Sequence, residues 1–516
     1  MKKILPSLFG LLCAVFLWLG FADPTLAVDG TPAWTNYYNG ADNLGGEGLS
    51  VAVDGGGNVI MTGVSVIIGG IEEYTTIKYS EAGVPLWTNI FRGGSNFDVA
   101  KFVVVDGSGN VIVTGDSTGR GTGIDFGTIK YSSAGMPLWT NFFNGAGNNN
   151  NAAKALALDG SGNVIVAGVW NDDYATIKYS SAGVPLWTNF FNGAGNGYDR
   201  VEAVAVDGNS NVFVTGFSMA ANWHYDYATI KYSGAGTPLW TNRFNDTGNN
   251  DAVGLALVVD GGGNVIVTGD STAANGHYDY ATVKYSGAGV PLWTNLFNGA
   301  GNNDDAVLSL AADSSGNVFV TGFSMAANGH YDYATIKYSG AGISLWTNLF
   351  NGAGNGDDIA ASVAVDGGGN VIVTGNSTGS GSVGQIATIK YSSAGVPLWT
   401  NLFNGTVIEF DGFKIAVDGS GNVFVTGASG SDFVTIKYSG PPPLTFITTN
   451  GSFGFSSKSF FLLLSGPVSS NAVIFASTNL QAWVPLFTNK LTGGTLGFTD
   501  TLATNYVRRF YRAALQ

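Results

Sequence analysis

Between Val28 and Gly440 the hydrophobic positions fall in short runs rich in Val, Ile, Thr, Tyr and Phe, each broken by Gly, Asn, Ser or Pro. This is the pattern of short antiparallel strands joined by tight turns. No segment there carries the three-to-four-residue period of a core-facing helix. The pattern also repeats. The phrase from Asp173 to Gly216, DYATIKYSSAGVPLWTNFFNGAGNGYDRVEAVAVDGNSNVFVTG, returns with small changes along most of the chain, at intervals of about fifty residues that suit a four-stranded unit.

Four strands fit each unit: T-I-K-Y-S, then P-L-W-T-N-x-F, then the V-A-V before Asp-Gly, then N-V-x-V-T-G. T-I-K-Y-S is expected to be the inner strand. S-A-G-V-P and D-G-x-G-N are expected as hairpin turns, because Gly supplies the positive φ and Asp or Asn tolerates it. Ala52, Ala157, Ala205 and Ala364 alternate with Val or Leu in the V-A-V run, as a sheet closely packed on both faces requires. Three landmarks recur eight times each: a lysine (Lys78, Lys130, Lys178, Lys231, Lys284, Lys337, Lys390, Lys437), a tryptophan (Trp34, Trp87, Trp139, Trp187, Trp240, Trp293, Trp346, Trp399) and the aspartate that opens D-G-x-G-N (Asp54, Asp106, Asp159, Asp207, Asp260, Asp313, Asp366, Asp418).

A four-stranded unit repeated eight times predicts an all-β fold, an eight-bladed β-propeller. The array starts partway through a unit, at Thr31-Pro32-Ala33-Trp34, and ends on the strand that the first unit lacks, Val434 to Ser439. Both termini are therefore expected to complete one blade, shutting the ring and leaving no sheet edge open. That phase also argues against an open β-solenoid. The expected organisation is a signal peptide over 1–27, the propeller over 28–440, a Pro-rich linker over 441–447 and a small C-terminal β domain, sandwich-like, over 448–516.

The D-G-x-G-N-V-x-V-T-G and T-I-K-Y-S phrases resemble the bacterial β-propeller repeats called SBBP repeats, over residues 31 to 440. That family name implies seven blades, whereas the landmarks here count eight. The Gly-x-x-x-Trp spacing, as in Gly183 to Trp187, is similar to the tryptophan-docking motif of eight-bladed quinoprotein dehydrogenases. The adjacent cysteine pair of those enzymes has no counterpart here, so the resemblance implies the docking without the redox chemistry. In the tail, S-T-N-L-x-x-W at Ser477 to Trp483, Phe498-Thr499-Asp500 and Arg509-Phe510-Tyr511-Arg512 resemble a C-terminal module of some secreted bacterial proteins, which implies attachment or sorting; an accessory domain without an address role fits equally.

Composition narrows the function. Of 516 residues only 11% are charged, 45% are hydrophobic and 13% aromatic, so the chain can bury a core. A net charge of −14 argues against nucleic acid as a partner, which needs a basic footprint. Lys2 and Lys3, the apolar run from Ile4 to Leu19 and Thr25-Leu26-Ala27 read as an export signal. The expected location is secreted, periplasmic or cell-surface, with no membrane span in the mature chain. The one cysteine, Cys13, falls inside the signal, which excludes disulfides and thiol chemistry from the remainder.

Candidate chemistry is sparse. The repeated lysines are read as packing groups, their stems on the docking tryptophans and their heads on an Asp or a carbonyl. If T-I-K-Y-S lines the channel, the acids that open it, among them Asp173, Asp226, Asp279 and Asp332, crowd one mouth, where Ca2+ would relieve their repulsion. Pairing with the lysines of adjacent blades is the competing account. The D-G-x-G-N turns lack the ligand series of a calcium loop. His224, His277 and His330 occupy one place in three successive A-A-N-x-H-Y-D-Y loops, better explained by duplication than by zinc. The loop face collects Trp170, Trp223, His224, Tyr225, Tyr278 and Tyr331 beside many amides, which suits stacking on sugars or anchoring a protein.

No nucleophile with a base, metalloprotease motif, P-loop or dinucleotide fingerprint occurs. The expectation is therefore a non-catalytic binding or scaffolding module for a protein or glycan, without a cofactor. The alternative is a polysaccharide hydrolase or lyase using carboxylates at the channel mouth.

Overall fold

The computed structural model describes residues 30–515 apart from 95–96, 119–122, 145–150, 246–249, 382–383, 405–412, 441–443, 448–452, 457–458, 467–470, 480 and 507–508. The expected signal at 1–27 and the prolines 441–443 lie outside the described residues. Among the described residues the fold is all-β, with one 3-10 turn at Ala503–Asn505, and no helix is long and apolar enough to cross a membrane.

β1 (Pro32–Tyr38) precedes β2 (Gly46–Val53), β3 (Val59–Ile67), β4 (Ile71–Tyr79) and β5 (Pro85–Phe91), and the last four form an antiparallel sheet in the order β2-β3-β4-β5. The same sheet returns at 98–143, 152–191, 199–244, 252–297, 305–350 and 359–404. An eighth is built from both ends of the array: Lys414–Val417, Val423–Ser429 and Asp432–Tyr438, with β1 as its fourth strand. Trp34 lies opposite Lys437, and Asn36 opposite Thr435.

The order within the sheet corrects one expectation. T-I-K-Y-S is the third strand, and the V-A-V run, β2 and its equivalents, is the inner one. These first strands touch one another in unbroken succession, β2 against 98–105, 98–105 against 152–158 and onward, until Lys414–Val417 meets β2 again. Small residues let neighbouring sheets approach: a Cβ added to Gly48 would stand 2.4 Å from Thr426 Oγ1 on the second strand of the eighth sheet. Second strands such as Val111–Ser117 are buried throughout, because both faces are covered. The P-L-W-T-N strands alternate half-buried and exposed residues. Their outer edges pair with nothing among the described strands, so closing the ring does not remove sheet edges; the sheets pack face to face, and each edge stays short and begins with Pro in most copies.

Neighbouring sheets are joined by one repeated latch, shown by Trp187 of the third sheet. Its ring lies on Gly236 of the fourth, where a Cβ would come within 2.7 Å, and Gly236 has φ +86°. Only glycine meets both demands without strain. Trp187 Nε1 donates to Gly234 O at 3.2 Å, Lys178 Nζ donates to the same oxygen at 3.1 Å, and Asn189 Nδ2 donates to Gly236 O at 2.8 Å. Lys178 also pairs with Asp159 at 2.8 Å. The tryptophan–glycine contact recurs from Trp34 on Gly83 round to Trp399 on Gly30. Tyrosines add a second tie: Tyr174 Oη donates to Ala228 O at 3.1 Å. Core clusters accordingly span pairs of sheets, as Ile165 and Tyr174 pack with Val201, Val214 and Ile230.

The tail holds two small sheets. Thr445–Ile447, the end of the expected linker, is a strand paired with Ser459–Ser465, which also pairs with Phe453–Ser456 and Thr495–Asp500. Asn471–Ser477 lies between Val484–Lys490 and Phe510–Leu515. Phe460, Leu462, Leu464, Ile474 and Leu496 share one core across both sheets. The residues of the tail phrases serve this unit internally. Arg512 lies over Trp483 at 4.7 Å and over Phe475 at 4.9 Å, while Asp500 takes Tyr511 Oη at 2.8 Å and Arg509 Nε at 2.9 Å.

Candidate functional site

The D-G-x-G-N and S-A-G-V-P turns lie at one end of the sheets, and the H-Y-D turns and N-G-A-G-N connections at the other. The first end is occupied by its own latch. Asp159 Oδ1 accepts the N–H groups of Ser161 and Asn163 at 2.9 Å, and its Oδ2 accepts Asn163 Nδ2 and faces Lys178, both at 2.8 Å. Such bonds hold the carboxyls of Asp54, Asp106, Asp159 and Asp260 below their ordinary range, against the opposing effect of burial. A cleft of about 630 Å³ between the second and third sheets is lined by Asp106, Lys130, Trp139 and Ser181. Asp106, paired with Lys130 at 2.9 Å, is the one carboxylate among its lining residues, so the cleft offers no carboxylate pair for glycoside chemistry.

The opposite end carries the candidates. Asp173, Asp226, Asp279 and Asp332 open third strands, so they do not ring an inner-strand mouth. Asp226 pairs with Arg243 at 2.7 Å, a neighbour on the outer strand of its own sheet. Burial, then the carboxylates of Asp199 and Asp172, push Asp173 up to about 6. Asp199 is fully buried and accepts Gly193 N–H at 2.5 Å and Met219 N–H at 2.8 Å. Among the described residues no group of three or more His, Cys, Asp or Glu side chains is placed to hold a metal ion.

The three histidines each reach the next sheet separately. His224 Nδ1 lies 3.2 Å from Asp251, His277 Nδ1 3.0 Å from Asp304 and His330 Nδ1 3.2 Å from Asp357. Each aspartate also accepts the N–H of the following tyrosine, Tyr225, Tyr278 or Tyr331. The triplet is one connector used three times. Of the aromatic candidates, Trp170 packs at a tilt on Phe190 at 4.4 Å and against a core cluster, so it anchors its loop. Tyr225 packs edge-on against Phe217 at 5.0 Å and Tyr331 against Phe323 at 4.5 Å; Tyr278 is exposed.

Trp223 differs from all of these. It is 76% exposed and has φ +69°. Residues 212–236 and 318–342 are identical except here, where the second copy has Gly329, with φ +82°; the third such loop has Gly276, with φ +85°. A bulky residue thus stands where the turn calls for glycine, and no burial compensates it.

One half-buried acid escaped the sequence reading. Asp270, on the second strand of the fifth sheet, accepts Val307 N–H of the sixth at 2.9 Å, and burial pushes its carboxyl up to about 7. The folded state therefore holds this proton more tightly than the unfolded chain. Its contribution to stability grows as pH falls from about 7 towards about 4, and the charged form opposes folding above that window. Asp270→Asn, which keeps an acceptor for Val307, is expected to stabilise the protein by ~1–2 kcal/mol at pH 8 and to change little at pH 5. Urea unfolding at the two pH values checks this, and a less stable variant at pH 8 refutes it.

No family model matches the chain, and no curated protein matches it. Solved structures do match in outline. The β-propeller domain of the Trilobed protease from Pyrococcus furiosus is 7% identical with TM-score 0.39, over 75% of this chain and 97% of that one. A gluconolactonase from Xanthomonas campestris is 12% identical with TM-score 0.31, over 55% and 85%. A protein of unknown function from Bacteroides caccae is 12% identical with TM-score 0.34, over 58% and 97%. These are similarities of fold, and none of those proteins' activities transfers with them.

Proposed function

We propose that the chain is an eight-bladed β-propeller of the SBBP type, closed by both ends of its array and followed by a small C-terminal β domain, which works outside the cytoplasm as a non-catalytic binding or scaffolding module. The circular order of inner-strand contacts supports the ring. Its ligand, a glycan or a protein, docks on the end that carries the H-Y-D turns.

The observation behind this reading is Trp223, exposed and left-handed where two sister loops have glycine. An indole held in water at a conformational cost contributes nothing to the fold, whereas it is an efficient anchor for a sugar face or a partner surface. The rival reading, a hydrolase or lyase, has a coupled carboxylate pair in Asp173 and Asp199. Asp199 is fully buried with backbone donors on both oxygens, which counts against it as a reacting group.

Trp223→Gly separates anchoring from structure. It is expected to raise stability by ~1 kcal/mol by relieving the left-handed strain. It is also expected to abolish capture of the ligand found by screening soluble polysaccharides and secreted proteins against the unaltered chain. A variant that melts higher and binds as well as the parent would overturn the reading.

A further inference from the structure

The inner strands depart from the repeat at one position. Each of the first seven has a register shift near the end that faces the H-Y-D turns, leaving one bulged residue: Leu49, Lys101, Lys154, Glu202, Leu255, Leu308 and Ala361. Three consecutive sheets place charge there, and the other four place an apolar side chain. Bulges re-aim side chains, and they gather beside functional sites.

The three charged positions form one group with two neighbours. Lys101 pairs with Asp116 at 2.5 Å, and Arg200 pairs with Glu202 at 2.6 Å. Each carboxylate thus has its own cation. Lys154, between them on the third sheet, is within electrostatic reach of all four, and among the described residues its ammonium makes no hydrogen bond or ion pair. Burial lowers its proton affinity first, and Arg200 and Lys101 lower it further. A half-buried cation set between two others is an unfavourable arrangement that an incoming anion would relieve.

An aromatic wall leads outward from this group along the fourth sheet. Arg200 lies 6.0 Å from the Phe217 ring, Tyr198 and Tyr225 pack on that ring at 5.9 and 5.0 Å, and Trp223 follows two residues before Tyr225. The sixth sheet keeps the ring as Phe323 but has Asp304, Ala306, Leu308 and Gly329 in place of Tyr198, Arg200, Glu202 and Trp223. Four of the thirteen differences between residues 198–244 and 304–350 fall on this track.

We propose that Lys154, with Lys101 and Arg200, binds the carboxylate of an acidic saccharide, whose sugar rings lie along Tyr198, Phe217, Tyr225 and Trp223. This rests on the binding reading above and names its ligand class. Sugars stack on aromatic faces, and a uronate supplies the missing anion at short range. The net charge of −14 slows the approach of any anion, so the affinity must come from these local contacts.

Titration calorimetry on the full chain compares an oligogalacturonate with a neutral cello-oligosaccharide of equal length. The uronate is expected to bind at least about tenfold more tightly. Lys154→Met should remove that preference, Lys154→Arg should restore it, and unchanged melting curves would show that both variants fold. Equal binding of the two sugars, unaffected by Lys154→Met, would overturn the charge site and leave the Trp223 surface standing. Absence of binding by either sugar would overturn the saccharide proposal, while protein capture sensitive to Trp223→Gly would still uphold the broader reading.

Discussion

A chain that begins at Asn39 is expected to lose more than ~5 kcal/mol of stability and to associate in solution. The truncation takes away β1, the fourth strand of the eighth sheet, and with it two latches. Trp34 no longer covers Gly83 of the first sheet, and Trp399 of the seventh loses Gly30. Each docking covers only part of an indole, so losing it costs less than the about 3–5 kcal/mol of deleting a fully buried aromatic side chain, but the two losses add to the lost pairing of β1. The freed edge of Asp432–Tyr438 then exposes a paired strand's hydrogen-bonding groups, a template for other chains. Urea unfolding and gel filtration measure both effects. A truncated chain that stays monomeric with an unchanged midpoint would show that the contacts at the join contribute nothing.

The second large effect comes from a lysine inside a latch. Lys178 and Asp159 are 3% and 2% exposed, and the lysine also donates to Gly234 O across the sheet boundary. Lys178→Ala leaves a buried carboxylate without its cation and a carbonyl with one donor fewer, at an expected cost of about 3–5 kcal/mol. Lys178→Met with Asp159→Asn removes both charges and keeps the turn's side-chain acceptor, so it should cost much less. The pH dependence has a fixed sign. The Asp159 carboxyl titrates below its ordinary value, so the stabilisation it carries is complete above about pH 4 and is lost as pH falls through the lowered value. If the single and double variants were equally stable, the charge pair would not be what the latch depends on.

Much of the fold is legible in the chain. Alternating Val, Ile and Thr runs mark the strands, Gly and Asn mark the turns, and the offset between Trp34 and the strand near Lys437 shows that both ends share a sheet. The strand order was not legible. T-I-K-Y-S and N-V-x-V-T-G are both rich in β-formers, and both are buried on two faces. Local pattern does not tell a second strand from a third. The misplacement of T-I-K-Y-S as the inner strand carried Asp173, Asp226, Asp279 and Asp332 to a channel mouth they do not line.

The candidate site divides in the same way. Trp223 stands out because it breaks a repeated phrase, and its left-handed φ gives that break a physical cost. Trp170 breaks the phrase equally, yet it packs on Phe190. Lys154 passes unnoticed in A-A-K-A-L-A-L, since one lysine on a strand has no meaning until its neighbours are known.

By itself the sequence determined the repeat, the strand and turn chemistry, the latch residues and the shared sheet at the ends, because these follow from local geometry and from one solution copied eight times. The tertiary structure decided which strand is inner, which glycine each tryptophan covers, and which charges meet. Those depend on packing between residues about fifty positions apart, where the repeat makes every copy look alike and only position in the ring distinguishes them.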